Sequence, residues 1–194
     1  GLNSNPLVQS CTFYANGSSG FGGAILINAN CEPTIKECAF IANESLQNGG
    51  AIAADGGSAT IRRCVFTNNR SHYDNGGAIY ASATSLTVRE CIFQGNFARQ
   101  SGGAVYAIPS FSGDAGPADI VASRFTDNVA YTFDGGGVYV DDIQSRLVNC
   151  EFVRNVAGRS GGGVYAEETT HDEVQRWMEL TNCLLAQNRA DYGG

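Results

Sequence analysis

An all-β solenoid of parallel strands is the fold class predicted for this 194-residue chain. Three observations predict it: one short phrase recurs at a nearly constant interval, the apolar runs inside it are too short for helices, and a glycine pair follows at the same place in each copy. The interval weighs most, because a period of about 20–50 residues marks a repeat architecture in which no single copy can bury its own apolar face. The phrase Cys-x-Phe-x-x-Asn begins at Cys11, Cys38, Cys64, Cys91 and Cys150; Ser123 replaces the cysteine once, and Leu185 replaces the phenylalanine after Cys183. Its asparagines are Asn16, Asn43, Asn69, Asn96, Asn128, Asn155 and Asn188, spaced by 27, 26, 27, 32, 27 and 33 residues.

Each copy offers three short apolar segments between polar corners. Cys-x-Phe is one, and its spacing of two puts both side chains on one face of a strand. A second follows the glycine pair, as "AILI", "AIAA", "AIYA", "AVYA", "GVYV" and "GVYA". The third lies three residues before the cysteine position, at Val8, Ile35, Ile61, Val88, Ile120, Leu147 and Leu180. Brevity and richness in Val, Ile, Phe and Tyr predict strands. Coiling each copy on the next pairs every strand with its counterpart, which makes the predicted fold a single-stranded parallel β-helix of about seven turns of 26–27 residues. The strand twist that governs parallel crossovers predicts a right-handed coil.

Residues 1–194 are therefore expected to form one solenoid segment, with loops inserted near 107–119 and 166–178 where the two long intervals fall. Stacking accounts for the recurring residue types. Cysteine packs as a small hydrophobe, phenylalanine fills the interior, glycine supplies tight corners, and the seven asparagines are expected to tie neighbouring turns through an amide ladder. Asn16, Asn43 and Asn69 also match the glycosylation sequon, but an inward ladder would hide them.

Composition narrows the function. A net charge of −7, a pI near 4.7 and a single lysine argue against nucleic acid and anionic membranes as partners. No run approaches 18 apolar residues, so direct membrane insertion is not expected. The chain opens just before a strand and stops on a glycine pair, which suggests a fragment of a longer rod whose export signal and anchor lie elsewhere. Six cysteines share one phase of the repeat and are expected to be buried free thiols, since side chains on parallel neighbours point the same way and suit the disulfide torsion poorly. Cys31 lies off that ladder, and its pairing is left open. With no Cys-x-x-Cys and only His72 and His171, neither a zinc site nor a cofactor is expected.

The alternation of "GGAI" with "FxxN" resembles the repeat of the polymorphic outer membrane proteins, autotransporter adhesins. Phe13 with Asn16, Phe40 with Asn43, Phe66 with Asn69, Phe93 with Asn96, Phe125 with Asn128 and Phe152 with Asn155 match one half of that motif. Gly22 to Ile25, Gly49 to Ile52, Gly76 to Ile79 and Gly102 to Val105 match the other, while Gly135 to Val138 and Gly161 to Val164 carry glycine for alanine. The resemblance implies a secreted or surface-displayed passenger, in the outer membrane if the source is bacterial. It would adhere or space without catalysis, against a host or cell-surface protein, a glycan, other subunits, or copies of itself end to end or side by side.

The rival expectation is a polysaccharide lyase or glycoside hydrolase of the pectate-lyase-like class, which needs paired carboxylates or a calcium cage with a base. Candidate carboxylates are Asp134, Asp141, Asp142, Glu167, Glu168, Asp172 and Glu173, with Arg146 as the basic group. Non-catalytic expectations centre on two features. Tyr80, Tyr106, Tyr139 and Tyr165 share one phase, next to interior Ile or Val, and should point outward, where they either cover and stiffen the sheet or, with Trp177, offer a binding face for a sugar or partner protein. Both insertions should leave one corner, where Thr170 and Glu173 have capping-box spacing for a short helix laying Val174, Trp177 and Met178 on the rod. Asp114, Asp119, Asp141, Asp142, Glu167 and Glu168 at that corner are calcium candidates if they converge.

Overall fold

The computed structural model of the chain describes residues 4–29, 31–109, 116–168 and 177–193. Within them three parallel sheets wind around one core, each strand pairing with its counterpart a coil away. The phenylalanine sheet consists of Thr12–Tyr14, Ala39–Ile41, Val65–Thr67, Ile92–Gln94, Arg124–Thr126, Glu151–Val153 and Leu184–Ala186. Seven such rungs enclose six complete coils, one fewer than the count of motif copies suggested.

A broad second sheet contains both remaining apolar segments of the repeat. Sequence reading separates them, as they are at Ile25–Ile27 and Thr34–Lys36, but in two coils they fuse into single strands, Ile52–Arg62 and Ile79–Arg89, whose ten in-register pairs run through Ala54↔Ala81 and Ile61↔Val88. Polar residues between the apolar spots hid the continuity, because a strand with one face outward tolerates Asp, Ser and Thr there. The third sheet was not foreseen. It is built from pairs just after each asparagine: Gly17–Ser18, Glu44–Ser45, Arg70–Ser71, Phe97–Ala98, Val129–Ala130 and Val156–Ala157. From Ser45 on, the second residue of each pair is buried and small, and two residues are too few to show a period.

Sharp bends join the sheets. The residue before each cysteine position is left-handed, for example Glu37, Arg63 and Glu90 at φ 56, 52 and 55°, and so is the residue before each asparagine, as at Ala42, Asn68 and Asp127. A non-glycine residue there costs about 1–2 kcal/mol, so the stacked neighbours must hold it in place. At the third bend the glycines are obligatory. Gly76 has φ 67°, and a Cβ on Gly77 would stand 2.1 Å from the Gly103 carbonyl oxygen of the next coil.

The core consists of columns of like on like. Rings of Phe13, Phe40, Phe66, Phe93, Phe125 and Phe152 stack at 4.7–4.8 Å with interplanar angles of 2–7°. Leu185 continues the column in register with Phe152. Beside the rings runs the asparagine ladder. Asn96 Nδ2 donates to Asn128 Oδ1 at 2.9 Å and to the Phe66 carbonyl at 3.0 Å, while its own Oδ1 accepts from the backbone N–H and Nδ2 of Asn69. The same donation links Asn16 to Asn43, Asn43 to Asn69, Asn69 to Asn96, Asn128 to Asn155 and Asn155 to Asn188. Asn43 and Asn69 are wholly buried with their amide nitrogens engaged, so two of the three sequons are closed to glycosylation in the folded chain.

Replacing Asn96 by alanine removes the acceptor of the buried Asn69 backbone N–H and the donor to the Phe66 carbonyl, and should lower stability by about 1–3 kcal/mol, read as a shift of the denaturation midpoint. Gly77→Ala should be at least as costly, because backbone and not a flexible side chain obstructs the new methyl; an unchanged melting temperature would contradict that geometry.

Candidate functional site

The four tyrosines do form one column on the outer side of the broad sheet, but they are not an open face. Strand register places Tyr80 beside Tyr106, Tyr106 beside Tyr139 and Tyr139 beside Tyr165. Their rings stack at 5.6, 4.6 and 5.4 Å, so each ring covers its neighbour. Tyr139 is only 7% exposed, and its hydroxyl donates to Glu167 Oε2 at 3.2 Å. The glycine corner covers them too, since the backbone of Gly102 and Gly135 lies against the Cβ atoms of Tyr106 and Tyr139. Alternation gave the direction correctly; the spacing of parallel strands, close to ring thickness, leaves Tyr80, Tyr106 and Tyr165 partly buried and Tyr139 buried.

The insertions leave from the middle of the broad sheet rather than from a corner between strands. In the regular coils that point lies inside a continuous strand, kinked at Gly56 and Gly57 or at Ala83. Val105–Ile108 and Ala118–Val121 flank the first insertion, and Val164–Glu167 and Met178–Thr181 the second. The predicted limits of 107–119 and 166–178 thus each include strand residues. Met178 pairs with Ser145 as a strand residue, which excludes it from any helix. Asp114, Thr170, His171, Asp172, Glu173 and Val174 lie outside the described residues, as does the proposed helix start.

Trp177, half-exposed, forms the rim of a cleft of about 400 Å³ whose other walls include Thr87, Pro117, Asp119 and Arg146. Among the described residues Asp119 is the one carboxylate in it, and Arg89 at 2.5 Å and Arg146 at 3.2 Å are its partners. Asp134 is far from this pair in role, bonded bidentately to Arg159. Of the calcium candidates, Asp141 and Glu167 sit side by side in strand register and Asp142 is buried at a left-handed bend. Among the described residues no group of three or more His, Cys, Asp or Glu is placed to hold a metal ion.

A surface that sequence reading missed lies along the third sheet. The Arg70 guanidinium sits 4.2 Å over the Phe97 ring, Arg99 4.7 Å over Tyr131, and Arg159 5.5 Å over Phe133. Tyr73 and Tyr131 are 64% and 57% exposed, and Phe133 and Leu46 project nearby in sequence from the same corner. The signal was available: aromatic and arginine residues recur one to five positions after the asparagines, although in no fixed type.

All seven cysteines are free, Cys31 included; Cys38, Cys64, Cys91 and Cys150 are buried, whereas Cys11 is exposed. Burial pushes the Cys150 thiol up to about 11 from its ordinary 9.0, and its contact with Cys64, together with burial, pushes Cys91 up. Burial also raises Tyr80, Tyr106, Tyr139 and Tyr165 above the ordinary 10.0. These groups stay protonated in the folded chain where their unfolded counterparts have ionised. Stability should therefore be complete below about pH 9, decline as pH rises through the thiol window, and decline further above about pH 10 as the tyrosines of the unfolded chain ionise. Thermal melts across that range should show this, with a shallower alkaline decline for Tyr139→Phe. Alkylation at neutral pH should label Cys11 in the native protein and spare Cys38, Cys64, Cys91 and Cys150 until denaturant is added.

Comparison with known families matches residues 1–98 and 25–176 to the right-handed beta helix region. Comparisons with curated proteins and with solved structures give no match. Parallel sheets wound coil upon coil are what that match requires, and it covers most of the sequence: the chain belongs to the right-handed β-helix family.

Proposed function

We propose that this chain is a non-catalytic, extracellular rod segment that spaces and adheres, with the aromatic–arginine corner as its contact surface. The observation that carries this proposal is the run of exposed Tyr73, Tyr131 and Phe133 with arginines stacked on neighbouring rings. Tyrosine and arginine are the residue types that dominate binding hot spots, and a rigid platform keeps the ordering cost of contact low. Elsewhere the repeat spends its charged groups on itself. Glu37 pairs with Arg63 at 2.6 Å, Glu151 with Arg124 at 2.8 Å and Asp127 with Arg154 at 2.8 Å, each across one coil.

The partner class is a cell-surface protein or glycan, or further protein subunits, including copies of the rod itself. Likeness of the GGAI and FxxN repeats to the polymorphic outer membrane proteins supports surface display, on the outer membrane if the source is bacterial. The family also holds lyase-like and glycosidase-like members, and the test is chosen to separate them. Immobilised protein should retain intact cells, and the double variant Tyr73→Ser, Tyr131→Ser should retain far fewer while melting at the same temperature. Incubation with neutral and uronate polysaccharides should release no reducing ends and no unsaturated products. Product release that disappears in Asp119→Asn or Arg146→Ala would replace adhesion by catalysis in the Trp177 cleft.

A further inference from the structure

The third-sheet corner carries guanidinium groups that the chain leaves without an acid, and we infer that they receive the carboxylates of an extended acidic segment of a partner protein. Arg63, Arg89, Arg124, Arg146, Arg154 and Arg159 each hold a carboxylate of the chain itself. Among the described residues Arg70 and Arg99 hold none, although the chain has 19 acidic residues against 12 basic ones. Both are exposed and lie on rings instead, Arg70 4.2 Å over Phe97 and Arg99 4.7 Å over Tyr131. Those two rings meet, with centroids 6.1 Å apart and planes tilted by 38°. Arg70, Phe97, Tyr131 and Arg99 therefore form one continuous cluster across three coils, with a guanidinium at each end. Arg62 and Arg189 also lack an acid among the described residues, but no such cluster surrounds them.

Stacking decides what these groups can still do. It occupies the face of the guanidinium and leaves the in-plane N–H fork, which matches a carboxylate in a bidentate pair. It also restricts a long side chain before any ligand arrives, which lowers the ordering cost of binding. The chain supplies its own example of the result. Arg159 lies 5.5 Å over Phe133 and donates to both oxygens of Asp134, from Nε to Oδ1 at 3.0 Å. One guanidinium thus holds a ring and an acid together at this corner. Acids beside the other two arginines are committed elsewhere: Glu44, in register with Arg70, bonds His72 Nε2 at 2.9 Å, and Asp74 accepts Gln100 Nε2 at 3.1 Å.

The exposed rings choose among anions. Tyr73 and Tyr131 are 64% and 57% exposed, and a small inorganic anion makes no use of apolar surface, whereas a peptide carrying acidic and apolar side chains engages both. The net charge of −7 does not keep such a segment away, because at physiological ionic strength it is screened beyond about 8 Å and the local guanidinium groups decide. The same charge makes a second copy of this chain the poorer partner. The inference rests on the adhesive reading of this corner and selects a protein among the partner classes.

The test titrates the intact chain, by fluorescence anisotropy, with labelled decapeptides of glutamate, of aspartate, of alternating glutamate and tyrosine, and of glutamine as the uncharged control. At least one acidic peptide should bind and the glutamine peptide should not. Arg70→Gln and Arg99→Gln should each weaken binding about fivefold, the upper end for an exposed ion pair, and together reduce it to the control. Arg70→Lys with Arg99→Lys keeps the charge but loses the stacked fork, and should fall between the wild type and the double glutamine variant. Melting temperatures verify the rod, and if the double variant does not fold the single variants decide. Failure of every acidic peptide to bind, or unchanged affinity in both folded single variants, overturns the inference. So does a lysine variant that binds as the wild type does, since stacking would then contribute nothing. Binding of heparin and of no peptide overturns it in favour of a sulfated glycan. Cell retention separates the two proposals. Retention lost in Tyr73→Ser, Tyr131→Ser but kept in Arg70→Gln, Arg99→Gln preserves the adhesive corner and removes the acidic segment. Peptide binding by a protein that retains no cells removes adhesion and leaves the acidic segment standing.

Discussion

The core ladder residues of this rod sit above chemical copies of themselves, one strand spacing away, and the rest of the structure follows from that constraint. A residue type survives at a ladder position only if it is attracted to its own kind at about 4.8 Å. Phenylalanine satisfies this with near-parallel stacked rings at 4.7–4.8 Å, and asparagine with an amide that donates on one side and accepts on the other. A charge is repelled by its own kind, and several charged positions instead pair with the opposite sign one coil on, as Glu37 with Arg63 and Asp127 with Arg154 do.

This constraint explains what the sequence disclosed and what it hid. Positions governed by like-on-like stacking recur letter for letter, so the coil, its strand direction, the phenylalanine column and the asparagine ladder were all legible before any coordinates. Positions governed by shape alone were not. The third sheet needs only a small second residue, satisfied equally by Ser45, Ser71, Ala98 and Ala130, and two residues carry no period. The fused broad strand was obscured for a related reason: its outward residues 55–58 and 82–85 are polar, and read as loop. Register is what makes them strand, a property of two copies and not of either alone.

The surface was the least legible part, because outward phase and exposure are different quantities. Tyr80, Tyr106, Tyr139 and Tyr165 all point away from the core, yet stacking at ring thickness makes each of them its neighbour's cover. Periodicity predicted the direction and could not predict the burial. Conversely, the exposed rings Tyr73, Tyr131 and Phe133 occupy slightly different offsets in their copies, which is why no ladder swallows them. On a solenoid the irregular aromatic is the available one.

The same logic locates departures worth reading as signals. Ser123 for cysteine keeps the ladder intact, since its hydroxyl accepts the Cys91 N–H at 3.1 Å and donates to the Val121 carbonyl at 2.9 Å, the kind of contact its thiol neighbours make. Leu185 for phenylalanine keeps volume in the column. Ala53 gives up the bulk of the outer column between Leu26 and Tyr80, yet it is only 1% exposed, so its neighbours close over the position. A departure that its neighbours absorb is neutral drift within the stacking rule.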